Sequence, residues 1–176
     1  IVHESATQTT IYQHSNTAII DWSAFSIAAG ETTHFQQNSA SSLAVNRVIG
    51  NDPSGIFGNL TATGQIMLIN QNGILFGRSS RVDVAGLVAT TIDIPNHRIL
   101  NGDFRFDQSG NPGASVINRG TITVRDGGLA ALVAPGVENT GVIQARLGRV
   151  ELASANGFTV DLYGDGLIRL PVDSRA

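Results

Sequence analysis

The chain has no cysteine and no lysine; its 11 basic residues are all arginine. The first absence excludes a disulfide framework, a thiolate metal site and a thiol nucleophile. The second, with a formal charge of −3, leaves no clustered basic face for nucleic acid or anionic lipid. Charged residues make up only 14% and aromatics 6%, which fits neither a disordered tail nor a charged helical bundle. No apolar run approaches the roughly 18 residues that cross a bilayer as a helix, so membrane insertion is not expected. The start, IVHESATQ, lacks both Met and the basic n-region of a signal peptide. Helical 3.6-residue periodicity is almost missing as well. What remains is small, apolar and turn-rich, with 20 glycines in 176 residues and 41% hydrophobic side chains. That composition predicts one monomeric all-β domain with a continuous core.

The run 58–90, GNLTATGQIMLINQNGILFGRSSRVDVAGLVAT, narrows the class to a parallel β-helix. Rungs of such a solenoid are short strands joined by tight corners, where Gly supplies unusual backbone angles and Asn supplies side-chain hydrogen bonds. Segments 64–69, 73–76 and 82–88 read as strands of early turns. Later, NRGTITVRDGGLAAL aligns over NTGVIQARLGRVEL at a spacing of 21 residues, apolar on apolar, with Asn118 over Asn139. A period near 20 suits one turn of a β-helix, and strands stacked about 4.8 Å apart would make the two Asn a corner ladder. Four regions are expected: a cap at 1–50 built on Trp22, Phe25 and Phe35; first turns at 51–90; an excursion with a strand or hairpin at 91–116; and regular turns at 117–176. The last segment, 171–176, follows a strand with no capping element, so a fragment of a longer protein is expected.

Little here suggests catalysis. His3, His14, His34 and His97 are scattered without the pairwise spacing of metal ligands. There is no GxSxG elbow, P-loop or strand-to-helix GxGxxG. Asp161 and Asp165 in DLYGDG match neither an EF-hand nor a calcium nonapeptide and read as turn residues. No catalytic residue, metal or cofactor is expected. A polysaccharide lyase would need carboxylates and Arg converging in a groove, which the linear spacing does not reveal.

The ordered motifs carry a resemblance to a known family. Asn46, Arg47 and Val48, then Gly50, Pro53, Ser54 and Ile56, then Gly58, Asn59 and Leu60, resemble the NRV, PSxI and GNL block of the two-partner secretion domain. This is the haemagglutination-activity domain at the N-terminus of filamentous-haemagglutinin-like exoproteins. Asn70, Gln71, Asn72, Gly73 and Ile74 fall on its NPNGI motif, and Phe76, Gly77, Val82, Val84, Gly86 and Leu87 continue into its FG and VxVGGL segments. QHSNTAIIDWSAFSI and GETTHF are similar to its N-terminal cap. Gln71 stands where the family usually has Pro, and a second NPNL motif has no counterpart.

The resemblance implies an all-β, right-handed parallel β-helix and a secretion signal, not an enzyme. It implies export to the periplasm of a Gram-negative bacterium and recognition there by the POTRA domains of a TpsB-type outer-membrane transporter. The mature exoprotein, an adhesin or related virulence factor, would then be secreted or surface-exposed and could meet host cells. Asn46, Arg47, Asn59, Asn70, Gln71, Asn72, Gly73 and Ile74 are the candidates for transporter recognition or for corners the fold requires. Asn side chains bonded to buried backbone would be structural, and exposed ones would be contacts. Strand addition is a physical route for recognition, and it predicts that extended chain binds at least as well as folded domain. The alternative is an adhesion module that binds host glycan or protein through a rung face or the excursion.

Overall fold

In the computed structural model, which describes residues 2–171, each turn of the chain lays strands on three faces of a solenoid. Strand β1 (Val2–His3) runs antiparallel to β2 (Gln8–Tyr12), which opens the first turn and is followed by β3 (Thr17–Trp22) and a single bridge at Ile27. The second turn is β4 (Thr32–Gln36), β5 (Leu43–Val48) and β6 (Ser54–Ile56); the third is β7 (Asn59–Ala62), β8 (Gln65–Asn70) and β9 (Ile74–Phe76). The fourth begins with β10 (Arg81–Val84) and β11 (Gly86–Thr90). It is interrupted by an excursion holding helix α1 (Asn96–Leu100) and β12 (Arg105–Phe106), and closes with β13 (Ser115–Asn118). Then come β14 (Thr121–Val124), β15 (Leu129–Ala134) and β16 (Gly136–Asn139), followed by β17 (Val142–Ala145) and β18 (Arg149–Ser154). Finally β19 (Phe158–Val160) and β20 (Ile168–Arg169) leave the solenoid and pair antiparallel beside β12.

Strands stack in parallel register on each face, so like residues form columns. Leu60 pairs with Val82, Val82 with Ile122, and Ile122 with Ile143, all pointing inward on the first face. There, NLTA and TITV alternate half-buried and buried, the mark of a sheet with one wet side. The second face differs. LAVNRV, GLVAT and LAALVA are buried at every position, as expected of strands covered on both sides. Ala44, Ile66, Leu68, Leu87, Ala130 and Leu132 fill the solenoid interior. Outward-facing Val45, Met67, Ile69, Val88 and Val133 join a second core beneath the excursion, against Ile92, Ile94, Ile99, Phe104, Phe106 and Phe158. The rings of Phe106 and Phe158 stack there with centroids 4.3 Å apart. Each large side chain so buried contributes roughly 1.5–3 kcal/mol.

Three expectations change in detail. The segment 1–50 is continuous with the solenoid: β2 pairs with β4, β3 with β5, and β4 and β5 pair in turn with β7 and β8. Its aromatics sit in the shared core, with Trp22 edge-on to Phe25 at 5.3 Å. The stretch 117–176 is not regular throughout, because Phe158 and Val160 are drawn out to cover the second face; 172–176 lies outside the described residues. The excursion contains a helical turn that the sequence did not suggest. Pro95 enters it in extended backbone and Gly102, at φ 71°, ends it.

Candidate functional site

Strands β5 and β8 lie side by side with Arg47 opposite Ile69 and Val48 opposite Asn70, so the two motif blocks end at one corner of the solenoid. The corner is polar, and its side chains are engaged with the backbone. Asn70 is fully buried; its Nδ2 donates to the Asp52 carbonyl and to Ser54 Oγ, both at 3.0 Å, and its Oδ1 accepts the Asn72 amide at 2.9 Å. The Gly73 amide closes the turn on the Asn70 carbonyl at 3.1 Å, and Gly73 takes φ 118°, where a side chain would be strained. Asn72 Nδ2 donates to the Gly50 carbonyl of the preceding turn at 3.0 Å. The NQNG turn is therefore latched to the corner below it.

Arg47 faces outward yet is only 9% exposed, because the start of the excursion folds over it. Its Nε donates to Asp93 Oδ1 at 2.8 Å, Nη1 to Asn96 Oδ1 at 2.7 Å and to Asp21 Oδ1 at 3.3 Å, and Nη2 to the Ile94 carbonyl at 2.6 Å. At the other end of the excursion, Gln71 Nε2 donates to the carbonyls of Gln108 at 3.1 Å and Ser109 at 3.3 Å. The Gln71 carbonyl accepts the Asn111 amide at 3.0 Å. An open cavity of about 410 Å³ remains between Arg47, Gly50, Asn51, Asn72, Asp93 and Gly110.

The remaining candidates lie elsewhere. Asn46 points into the solenoid, fully buried, and its Oδ1 accepts the Trp22 indole N–H at 3.0 Å. Ile74 is a core residue. Asn59 sits on the outer side of the first face, donating to Thr32 Oγ1 at 3.2 Å. Asn118 and Asn139 occupy the far edge of the third face, where Asn118 Nδ2 donates to Asn139 Oδ1 at 2.8 Å and Asn118 Oδ1 accepts the Gly120 amide. Asp93, Asn96 and the 108–111 stem were not among the residues read from sequence. A hint was available in IDIP, where one acid stands between β-branched apolar residues and so needs a buried partner.

The Tyr12 phenol is pushed up by its hydrogen bond to Glu4, and burial pushes Tyr163 up, both away from the motifs. Among the described residues no three His, Asp or Glu side chains gather as a metal site, and no helix is long and apolar enough to cross a membrane.

A β-solenoid whose corner unites these motifs defines a module of the secretion-domain class. The chain belongs to the TPS secretion domain family, whose model matches residues 1–170. Over 95% of its length it is 36% identical to a heme/hemopexin-binding protein of Haemophilus influenzae, of which it spans 19%. A second Haemophilus influenzae protein of that name is 38% identical over 58% of the chain. The crystal structure of the HMW1 secretion domain from Haemophilus influenzae superposes with a TM-score of 0.90 at 32% identity, covering 97% of this chain and 46% of that one. Proteins of this family are exoproteins secreted by Gram-negative bacteria in partnership with a TpsB-type transporter.

Proposed function

We propose that this domain is read in the periplasm, while still extended, by the POTRA domains of its outer-membrane transporter, and that it then seeds β-helix folding at the cell surface. The observation that carries the reading is where the motif side chains go: bonded to backbone and largely buried, they are corners that the folded domain requires, so only chain that has not yet folded shows them to a partner. Asn46 and Asn70 are fully buried and Arg47 nearly so. A partner that depends on these side chains has to meet them before the rungs close. In extended chain their neighbours' backbone groups are also free for strand addition.

Seeding has its own support. On the inner columns of the last solenoid strand, Val150 and Leu152 are 43% and 46% exposed, an apolar step on which a further rung can be laid. Each completed rung then templates the next and opposes backsliding without ATP.

The test compares POTRA binding by the domain held in denaturant-diluted, extended form with binding by the refolded domain. Tighter binding of extended chain is expected; binding by neither form would sink the reading. For the whole exoprotein we infer haem capture, because two similar proteins carry that name. Hemopexin binding by the full-length protein tests this.

Direct adhesion is the second reading and rests on another place. Arg105, Thr159 and Arg169 form one cross-strand row beside a cavity of about 600 Å³. Glycan-array binding by the folded domain, lost on Arg105→Ala, would favour it.

A further inference from the structure

The excursion is fastened at both ends by residues of the two motif blocks. Arg47 holds its start through Asp93, Ile94 and Asn96, and Gln71 holds its stem through Gln108 and Ser109. Its neck is closed by reciprocal backbone hydrogen bonds between Asp93 and Gln108, at 2.8 and 3.2 Å. Beneath it lies the apolar outer side of the second face, where Val45, Met67, Ile69 and Val88 stand on strands that precede the excursion. Until the excursion docks, that sheet face is bare, and a bare apolar sheet is a site for wrong pairing.

Gln71 matters most here because of where its side chain reaches. Proline at this position stiffens the turn but has no side-chain donor. Glutamine gives up that stiffness and gains an amide that reaches two carbonyls of the stem. Both carbonyls belong to the excursion and neither to the turn, so the bond adds nothing to the local corner. Its whole effect is to couple the third turn to residues 108–111.

We infer that Gln71 is a positioning residue for the seeding step, and that 92–111 is a clasp belonging to the secretion signal, closing over the second face when Asn111 has emerged. This rests on the proposed seeding role. Arg47 and Gln71 leave the transporter first and wait; the clasp arrives later and finds both attachment points formed. Its closure covers the part of the apolar face built by β5, β8 and β11, before Phe158 arrives to complete the cover, and makes the first three turns hard to unravel back into the barrel.

The experiment uses the complete domain with Gln71→Pro, Gln71→Glu and Gln71→Lys. Hydrogen exchange is followed at the Asn111 amide, whose acceptor, the Gln71 backbone carbonyl, survives every substitution. Pro removes the donor and Glu sets a carboxylate against two carbonyls, so both should speed Asn111 exchange by about tenfold or more. Exchange at Leu68 and Ala89 should be unchanged. Lys restores a donor and should stay within about threefold of wild type. In cells with the partner transporter, Pro and Glu should lower the yield of protease-resistant domain outside the cell, and Lys should restore it. Unchanged Asn111 exchange in Pro and Glu would overturn the clasp. Loosened exchange with undiminished surface yield would overturn its part in seeding. Wild-type chain that its transporter does not export would overturn the secretion reading and this inference with it, and the exchange data would tell that failure from the other two.

Discussion

Asn70 Nδ2 stands 3.0 Å from Ser54 Oγ, joining the third turn of the solenoid to the second through a side chain with no exposed surface. The same amide donates to the Asp52 carbonyl, and its oxygen accepts the Asn72 amide. One side chain therefore satisfies polar groups from two successive corners that the stacking has removed from water. An unsatisfied buried group costs roughly 1–3 kcal/mol. Asn70→Ala should lower the unfolding free energy in urea by about 3 kcal/mol. A loss below about 0.5 kcal/mol would mean that water replaces the amide at no cost.

Arg47 is bound to two carboxylates, an amide oxygen and a carbonyl, all but Asp21 belonging to the excursion. Arg47→Met leaves Asp93, whose side chain is 17% exposed, without its counter-ion. Breaking such a pair on one side costs about 3–5 kcal/mol, and removing both charges costs less. The Arg47→Met, Asp93→Asn double variant should therefore be more stable than Arg47→Met alone, with chemical denaturation as the measurement. A double variant that loses the sum of the two single effects would show that the two residues act independently.

Two motif glycines should respond very differently to alanine. A Cβ at Gly58 would stand 2.3 Å from the Glu31 carbonyl oxygen and 2.4 Å from that of Ala28, both backbone atoms of the turn below. A Cβ at Gly77 would meet the Phe57 ring at 2.3 Å, but Phe57 is 41% exposed, and a side chain at the surface can yield where backbone cannot. Gly58→Ala should cost upwards of about 3 kcal/mol, or prevent folding, and Gly77→Ala about 1 kcal/mol. Thermal unfolding of the two proteins side by side decides it. Equal losses would mean that Phe57 is held as firmly as the backbone.

The solenoid was legible wherever one turn follows the next without insertion. Asn118 and Asn139 are 21 residues apart and pair directly. The first turns were harder to align because their corners absorb extra residues, so that Thr32 and Asn59, also paired, are 27 apart. Register is set by backbone pairing and inward side chains, which allow corners of any length. The excursion was visible as a break, but not its one helical turn, which is too short for periodicity, nor its pairing with Phe158. Among the candidates, Gln71 was conspicuous as a departure. Its role was not, because both of its acceptors are carbonyls of residues about 37 positions away, which carry no side-chain signal.

Leu147 completes the corner before β18 with φ 53° and 85% of its surface exposed. A left-handed backbone costs an L-residue with a large side chain roughly 1–2 kcal/mol, and Asn tolerates it far better. Nothing offsets the cost through burial, since the leucine side chain projects into solvent. Asn is therefore preferred on two counts, backbone and hydration. Gly would relieve the strain too, but it loses up to about 1 kcal/mol of that gain by loosening the unfolded chain. Leu147→Asn should raise stability by about 1 kcal/mol, which for a domain of this size is a rise in Tm of about 2–4 °C. Leu147→Gly should gain less. If Leu147→Asn is less stable than wild type by calorimetry, the exposed leucine is held in place by packing against following residues, and the strain at this corner is part of how a further rung is received.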